Sequence, residues 1–364
     1  MDRRFFLATT VSSGINLAAS HSTANRFSGT AGEAIRVGMI GKDGHTATVL
    51  NSIVRMQNVQ LVALAKGRPD DNLAALQKHK AFQPTTRSYE TYIQMMDREK
   101  PDVVGICLPY AENAAASIEA ARRGIHVISE KPAAATMEEL QKLEAAIQSG
   151  GIHYTLMLGM RGLPRFQIAR LAIQQGLVGE PILVSSQKSY KFGKERPWFY
   201  KQSKIYGGTI PWVGIHAIDF MKYVSGVDYL QVSALQGNKA HPGYSGCEDF
   251  AGVLFQLKNG GTAICQMDFL RPDSAPTHGD DRLRIAGSDG VLEVLDSQGQ
   301  ITLLSAKGGR LPENVPEAPD LFGSFIASIR GAGNPLVSAE EALHITRVCL
   351  KAREAAQKGA WIPL

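Results

Sequence analysis

Asp102-Val103-Val104-Gly105-Ile106-Cys107-Leu108-Pro109 is followed, one helix later, by Ile125-His126-Val127-Ile128-Ser129-Glu130-Lys131-Pro132. The first run is short, apolar and closed by a proline. It shows no polar alternation, which suits a strand buried on both faces of a parallel sheet. Between the two runs, residues 113–123 are rich in alanine, carry Arg122 and Arg123 at their end and stop at Gly124, a pattern that predicts a helix. Strand, helix and strand in this order form the βαβ unit of an α/β domain. The unit delivers Glu130-Lys131-Pro132 to the carboxyl end of a strand, the edge where open parallel sheets bind ligands.

Working outward, Ile35 to Ile40 predicts a first strand, and Gly41-Lys42-Asp43-Gly44-His45-Thr46 turns from it into a helix. A GxGxxG loop belongs here, because its glycines let amides at a helix N-terminus approach a pyrophosphate. Only Gly41 falls in register. Asp43 and Thr46 stand where the second and third glycines would be, and Gly44 is one residue late. A carboxylate at Asp43 faces a pyrophosphate of like sign unless it turns away. His45 is either a phosphate contact or a surface residue at a helix start. The second strand, Val59 to Ala65, ends in Lys66-Gly67-Arg68 rather than in the acid that holds an NAD ribose. Two cations there suit a 2′-phosphate and favour NADP, unless Asp70 and Asp71 balance them in a solvated turn. Helices are expected around 71–79 and 90–98. Thr136 and Glu139 form a capping box ahead of Leu140, Leu143 and Ile147 on one helical face, and a closing strand is expected near 153–158.

These elements assign residues 34–155 to a Rossmann-type dinucleotide-binding domain. Residues 156–364 read as an α+β domain with a large mixed or antiparallel sheet and helices on one face. Its strand patterns lie at 181–190, 228–237, 249–257 and 261–270, with shorter ones near 282–286, 290–295 and 300–304. Lys258-Asn259-Gly260-Gly261 makes a hairpin, and Ser338 with Glu341 caps a final helix over 338–357. A chain of 364 residues, 44% apolar and 20% charged, is ordinary for two globular domains, and a formal charge of +5 is too small and scattered to argue for nucleic acid. Four cysteines lack CxxC spacing and read as buried thiols; no metal site is expected. Asp2-Arg3-Arg4-Phe5-Phe6-Leu7 and the mildly apolar stretch after it have the form of a twin-arginine export signal over residues 1–24. Cleavage would leave a periplasmic protein without a membrane anchor.

A second block, Tyr206-Gly207-Gly208-Thr209-Ile210-Pro211-Trp212-Val213-Gly214-Ile215-His216-Ala217-Ile218-Asp219, joins the first. Together, from about Ile35 to Leu364, they resemble the Gfo/Idh/MocA family of nicotinamide-dependent oxidoreductases. The resemblance implies that Lys131 reaches the reacting hydroxyl and the nicotinamide, and that His216 takes the hydroxyl proton. It further places the cofactor, NAD or NADP, along Gly41, Asp43, Gly44, His45, Lys66, Arg68, Pro109, Asn113, Glu130 and Lys131. The family's acid four residues before the histidine is replaced by Trp212. Asp219, three residues after His216, is therefore either its new partner or a structural acid. Trp212 offers an apolar face suited to stacking on a sugar ring. Arg161, Trp198, Tyr206, Trp212 and His216 are the candidates for holding a carbohydrate or polyol, with Tyr190, Lys191, Arg196, Tyr200 and the His278-Gly279-Asp280-Asp281 loop beside them. The resemblance also implies a homo-oligomer formed through the open face of the second sheet. Two functions follow: oxidoreduction of a sugar or cyclitol hydroxyl, or a family member without net redox turnover, binding a sugar or using a retained NAD within a hydrolase or lyase cycle.

Overall fold

A computed structural model describes residues 33–313 and 320–364, so the expected export signal lies outside the described residues. The first sheet is built from β1 (Ile35–Gly41), β2 (Val59–Ala65), β3 (Arg87–Tyr89), β4 (Val103–Cys107), β5 (His126–Ser129) and β6 (Tyr154–Leu156). All neighbours run parallel, in the order β3-β2-β1-β4-β5-β6. Every residue of β4 and β5 is buried, as their unbroken apolar character requires. The order reverses direction between β1 and β4. Their carboxyl ends therefore flank the crevice of a doubly wound sheet.

The second sheet contains β7 (Pro181–Lys191), β8 (Tyr229–Gly237), β9 (Phe250–Leu257), β10 (Thr262–Arg271), β11 (Gly279–Gly287), β12 (Gly290–Leu295), β13 (Gln300–Ser305) and β14 (Ile362–Pro363). Its order is β13-β12-β11-β7-β10-β9-β8-β14; β7 and β10 are parallel and the other pairs antiparallel. Burial alternates along β9 and β10, so one face lies under helices and the other is open. The open face displays Leu235, Leu254, Ile264 and Leu270.

Both expected capping boxes are present: Thr136 with Glu139 starts the helix Met137–Gly150, and Ser338 with Glu341 starts Ala339–Lys358. The second of these helices ties the two sheets together, with Thr346 Oγ1 accepting from the Ala133 amide and Arg353 donating to the Ala135 carbonyl. The helix expected over 71–79 is confined to Ala74–Gln77, and an unanticipated helix, Leu321–Ile329, follows its Asp320 cap. All four cysteines are buried and free. Among the described residues no helix is long and apolar enough to cross a membrane, and no three His, Cys, Asp or Glu side chains converge as a metal site.

His126 on β5 is buried, and its Nδ1 accepts the His153 amide proton at 2.9 Å. Burial, reinforced by the neighbouring His153, lowers its pKa from 6.5 to about 4. A folded-state pKa below the unfolded one means that the unfolded chain binds more protons between these values. Stability is then full above pH 6.5 and is lost as pH falls through about 4, by about 3 kcal/mol. Urea unfolding across this range reads the loss. His126→Gln, which keeps an acceptor without the titration, flattens the slope; an unchanged slope in the variant would contradict the assignment.

Candidate active site

The chain leaves β5 through Glu130 and Lys131 into a cis Lys131–Pro132 peptide. Both side chains are almost wholly enclosed, Glu130 at 0% exposure and Lys131 at 2%. Glu130 Oε1 accepts the His45 amide proton at 2.6 Å and also contacts the His45 ring, while Oε2 accepts the Lys131 amide proton at 2.9 Å. Burial alone would raise the pKa of Glu130. The charge of Lys131 and the contacts from His45 overcome this and hold it below the usual carboxylate value. Burial pulls Lys131 the other way, down to about 7, against the attraction of Glu130 and with help from the charge of Lys188.

The second domain supplies His216. A π-helical turn, Ile210–Gly214, runs directly into the helix Ile215–Ser225, an irregularity that recurs at functional sites. Gly214 packs so closely on β10 that a Cβ there would stand 2.3 Å from Met267 Sδ, which fixes the depth of the helix start. His216 lies one turn into this helix system, buried, with Nδ1 lacking a hydrogen-bond partner. Burial, followed by the charges of Lys131 and Lys188, keeps it neutral, well below its ordinary pKa of 6.5. Its ring centroid is 6.3 Å from that of His45. Lys131, His45 and His216, which the sequence spreads over both domains, thus converge on one cluster at the carboxyl edge of the first sheet.

Trp212 joins the same cluster. Its indole stacks on Tyr110 with ring centroids 3.3 Å apart and planes inclined by 13°, and Lys131 Nζ lies 2.8 Å from the indole centroid. The tryptophan that replaces the family's acid therefore covers the lysine with an aromatic face. A substrate oxygen reaches Nζ from this side only when the indole moves.

The glycine loop combines features that suit a dinucleotide with one that does not. Gly41 (φ 76°) and Gly44 (φ 85°) adopt left-handed backbone, and a Cβ at Gly44 would lie 2.2 Å from Glu130 Oε1. This side-chain-free backbone at the switch point is what a bound phosphate requires. Two amides of the loop are already engaged, however: that of Asp43 donates to the Cys107 carbonyl at 2.9 Å and that of His45 donates to Glu130. Asp43 stands beside Lys42 at 3.9 Å, its pKa raised chiefly by burial. The residues fit the cofactor as a backbone cradle, with a carboxylate of the protein's own at the start of the helix Thr46–Arg55.

Several expected contacts fall elsewhere. Asp219 does not serve His216: both its oxygens are taken by Arg161, whose Nη2 donates to Oδ1 at 2.7 Å and whose Nε donates to Oδ2 at 3.0 Å. Arg161, also bound to Glu341 at 2.7 Å, is committed to this ion pair rather than to a substrate. The pair lines a cavity of about 470 Å³ with Arg170, Tyr223 and His344. Tyr206 is wholly buried with its hydroxyl 2.8 Å from Thr209 Oγ1, so it is a core residue and not a sugar contact. Asn113 is spent on the turn after β4, accepting from the Leu108 amide and donating to the Tyr110 carbonyl, both at 3.2 Å. Lys66 binds Glu90 at 2.8 Å; Arg68 binds Glu112 at 2.5 Å and lies 4.5 Å from the ring centroid of the partly exposed Trp198.

Two residues that the sequence reading left outside the core of the site are Lys188 on β7 and Asp281 on β11, directly paired across the strands with Nζ 2.8 Å from Oδ2. Their signal is one of phase. Lys188 falls in step with Val184, and Asp281 with Leu283 and Ile285, which places each charge on the buried face of an alternating strand.

A parallel sheet with a glycine turn at its switch point and a buried lysine at its edge, joined to a second domain that brings an imidazole to that edge, defines a dinucleotide-dependent oxidoreductase. Residues 35–157 match the family described as oxidoreductase family, NAD-binding Rossmann fold, and residues 166–293 match the GFO/IDH/MocA C-terminal domain. A putative oxidoreductase from Thermotoga maritima superposes with a TM-score of 0.85 at 35% identity, covering 91% of this chain and 100% of that one. D-apiose dehydrogenase of Paraburkholderia graminis is 22% identical over 344 residues, 90% of this chain and 87% of that protein. The 1,5-anhydro-D-fructose reductase of Ensifer adhaerens is 26% identical over 254 residues, 67% of this chain and 74% of that protein. The chain belongs to the GFO/IDH/MocA family of oxidoreductases.

Proposed function

We propose that the protein transfers hydride between a sugar or cyclitol hydroxyl carbon and a nicotinamide dinucleotide. The observation that carries this reading is the meeting of buried Lys131 with neutral His216 at the switch-point edge of the first sheet. The sugar substrates named for D-apiose dehydrogenase and 1,5-anhydro-D-fructose reductase support a carbohydrate. The nicotinamide, when bound, supplies the hydride acceptor. Gly41 and Gly44 would cradle the dinucleotide, and Pro109 and Lys131 would border its reactive end. Lys131 holds the reacting oxygen, and the neutral imidazole of His216 accepts its proton. An imidazolium so close to Lys131 is disfavoured while that lysine is charged. Oxidation is therefore favoured when Lys131 is neutral, and kcat/KM rises with pH through about 7. A pH–rate profile flat across this range would contradict the coupling.

The cations Lys66 and Arg68 favour NADP over NAD, although a 2′-phosphate would gain them only by displacing Glu90 and Glu112. Binding titrations with each cofactor read the choice. A second reading, binding or catalysis without net redox turnover, is favoured by the indole over Lys131 and by Glu130 at the His45 amide. Mass analysis of the purified protein for nicotinamide, followed by a sugar and polyol panel monitored at the reduced-cofactor band, separates the two. Reduction of added cofactor supports dehydrogenation; retained cofactor with no net reduction supports the second reading. We further propose export by the twin-arginine route to the periplasm, which cell fractionation tests. The open face bearing Leu235, Leu254, Ile264 and Leu270 is proposed as the homo-oligomer surface, tested by light scattering.

A further inference from the structure

One face of the helix Ala339–Lys358 touches both halves of the site. Thr346 Oγ1 accepts from the Ala133 amide at 3.3 Å, and Arg353, two turns further along, donates from Nη2 to the Ala135 carbonyl at 2.5 Å. Ala133 and Ala135 lie on the short buried segment that follows Lys131-Pro132. The other arm of the same guanidinium, Nη1, donates to the Gly207 carbonyl, at the start of the turn that carries Trp212 and His216. Gly207 (φ 82°) and Gly208 (φ 104°) are left-handed there and packed against this contact. A Cβ on Gly207 would meet that of Ala135 at 3.4 Å, and one on Gly208 would stand 3.0 Å from Arg353 Cδ. The Gly208 carbonyl in turn accepts from the amide of Trp212, whose indole lies over Lys131 Nζ. Among the described residues Arg353 forms no salt bridge; burial pulls its pKa below the ordinary value, against the more remote charges of Glu248 and Glu139. Enclosing a guanidinium without an acid beside it is costly, and an apolar side chain would serve packing better. What arginine alone supplies is a planar fork of donors able to span two acceptors.

We propose that Arg353 is a positioning residue: one guanidinium holds the Ala135 and Gly207 carbonyls, one from each domain, and thereby sets the separation of Lys131 from Trp212 and His216. This inference rests on the redox reading above and adds to it a residue that acts through the backbone rather than on the reacting atoms. Without the clip, the segment after Lys131 and the glycine pair before Trp212 are free to part, and a displacement of about 1 Å between reacting groups costs about 10²-fold in rate. Arg347 on the same helix provides the contrast. It also ties the helix to the first domain, through Glu144 at 2.8 Å, but its partner lies on the helix Met137–Gly150, beyond the segment that carries Ala133 and Ala135.

The test compares Arg353→Met, Arg353→Lys and Arg347→Met in the full chain. A first arm needs neither cofactor nor substrate: the protein carries 5-fluorotryptophan, and the Trp212 resonance is identified by its loss in Trp212→Phe. In the wild type this resonance is expected to titrate with Lys131 near pH 7. His45 also lies 6.4 Å from the indole, so Lys131→Met supplies the baseline. Arg353→Met is expected to lose at least half of the Lys131-dependent shift, Arg353→Lys to recover part of it by reaching one carbonyl, and Arg347→Met to keep all of it. The second arm is steady-state kinetics on the substrate found in the polyol panel. There Arg353→Met lowers kcat by about 10²-fold with KM changed less, and Arg347→Met leaves kcat at the wild-type value. A folded Arg353→Met with the wild-type titration overturns the proposal, as does Arg347→Met showing the same losses, which would reduce both residues to docking contacts. A wild type that turns over nothing in the panel removes the redox reading, while the Trp212 resonance still decides whether Arg353 holds the two segments in place.

Discussion

His216→Ala lowers kcat for polyol oxidation about 10²- to 10⁴-fold, the range expected when a positioned proton acceptor is removed, and Lys131→Met is at least as damaging. Both side chains are enclosed, and burial depresses the pKa of each. Because the charge of Lys131 bears on His216 and both are assigned to the same proton transfer, the two act as a unit. The double variant is therefore expected to be little worse than either single one. Steady-state kinetics on the substrate found in the polyol panel measures this. The pH profile adds a readout that damaged folding would not mimic: in Lys131→Met the rise near pH 7 disappears, whereas His216→Ala retains an ionisation of Lys131, visible in cofactor binding. Additive losses from the two substitutions would show that they serve separate steps.

Asp219→Ala has its largest effect on stability, a loss of about 3 kcal/mol or more. Arg161 is 4% exposed at its side chain and makes a two-oxygen ion pair with Asp219. Removing the carboxylate strands a buried guanidinium with Glu341 as its remaining acid, and breaking a buried pair in this way typically costs about 3–5 kcal/mol. Glu341 is 43% exposed at its side chain and compensates in part, which sets the expectation at the lower end. The urea midpoint moves, while kcat at a temperature where the variant remains folded stays close to wild type. Normal stability with a lost kcat and an altered pH profile would restore Asp219 as the partner of His216.

These two predictions mark the boundary of what the linear sequence discloses. The run from Asp102 to Pro132 is legible because each element is local. Its strands are unbroken apolar runs, its helix is alanine-rich with a glycine stop, and Lys131 follows within two residues of β5. Capping boxes at Thr136 and Ser338 are equally local, since both partners lie three residues apart. The partner of Asp219 is not local. Helical spacing offered His216 three residues away, but the guanidinium that claims it comes from Arg161, 58 residues earlier, brought in by packing of the turn Gly159–Gly162 on this helix. Glu130 and His45 meet across 85 residues for a similar reason: the parallel pairing of β1, β4 and β5 aligns their carboxyl ends. The register that sets Lys188 opposite Asp281 depends on an antiparallel pairing of strands 93 residues apart, which no short pattern encodes. Two secondary elements escaped for opposite reasons. β3 has three residues and little apolar character, whereas Leu321–Ile329 is apolar nearly all round and shows no one-sided stripe.

Trp212 links these observations. The residue type alone argues for stacking, and the structure gives the indole two flat partners, Tyr110 beneath it and the Lys131 ammonium on its face. A charged lysine held against an aromatic face is stabilised there. Burial lowers the pKa of the same group, so its protonation responds sharply to whatever takes the place of the indole.

The most direct measurement is isotopic. The protein is incubated with oxidised NAD or NADP and fully deuterated glucose or myo-inositol, and the nicotinamide is examined by mass spectrometry after quenching. Reaction at a carbon adjacent to Lys131 and His216 predicts that one deuterium appears on the cofactor and that His216→Ala suppresses this. Cofactor recovered without deuterium, under conditions where calorimetry shows both ligands bound, would contradict it.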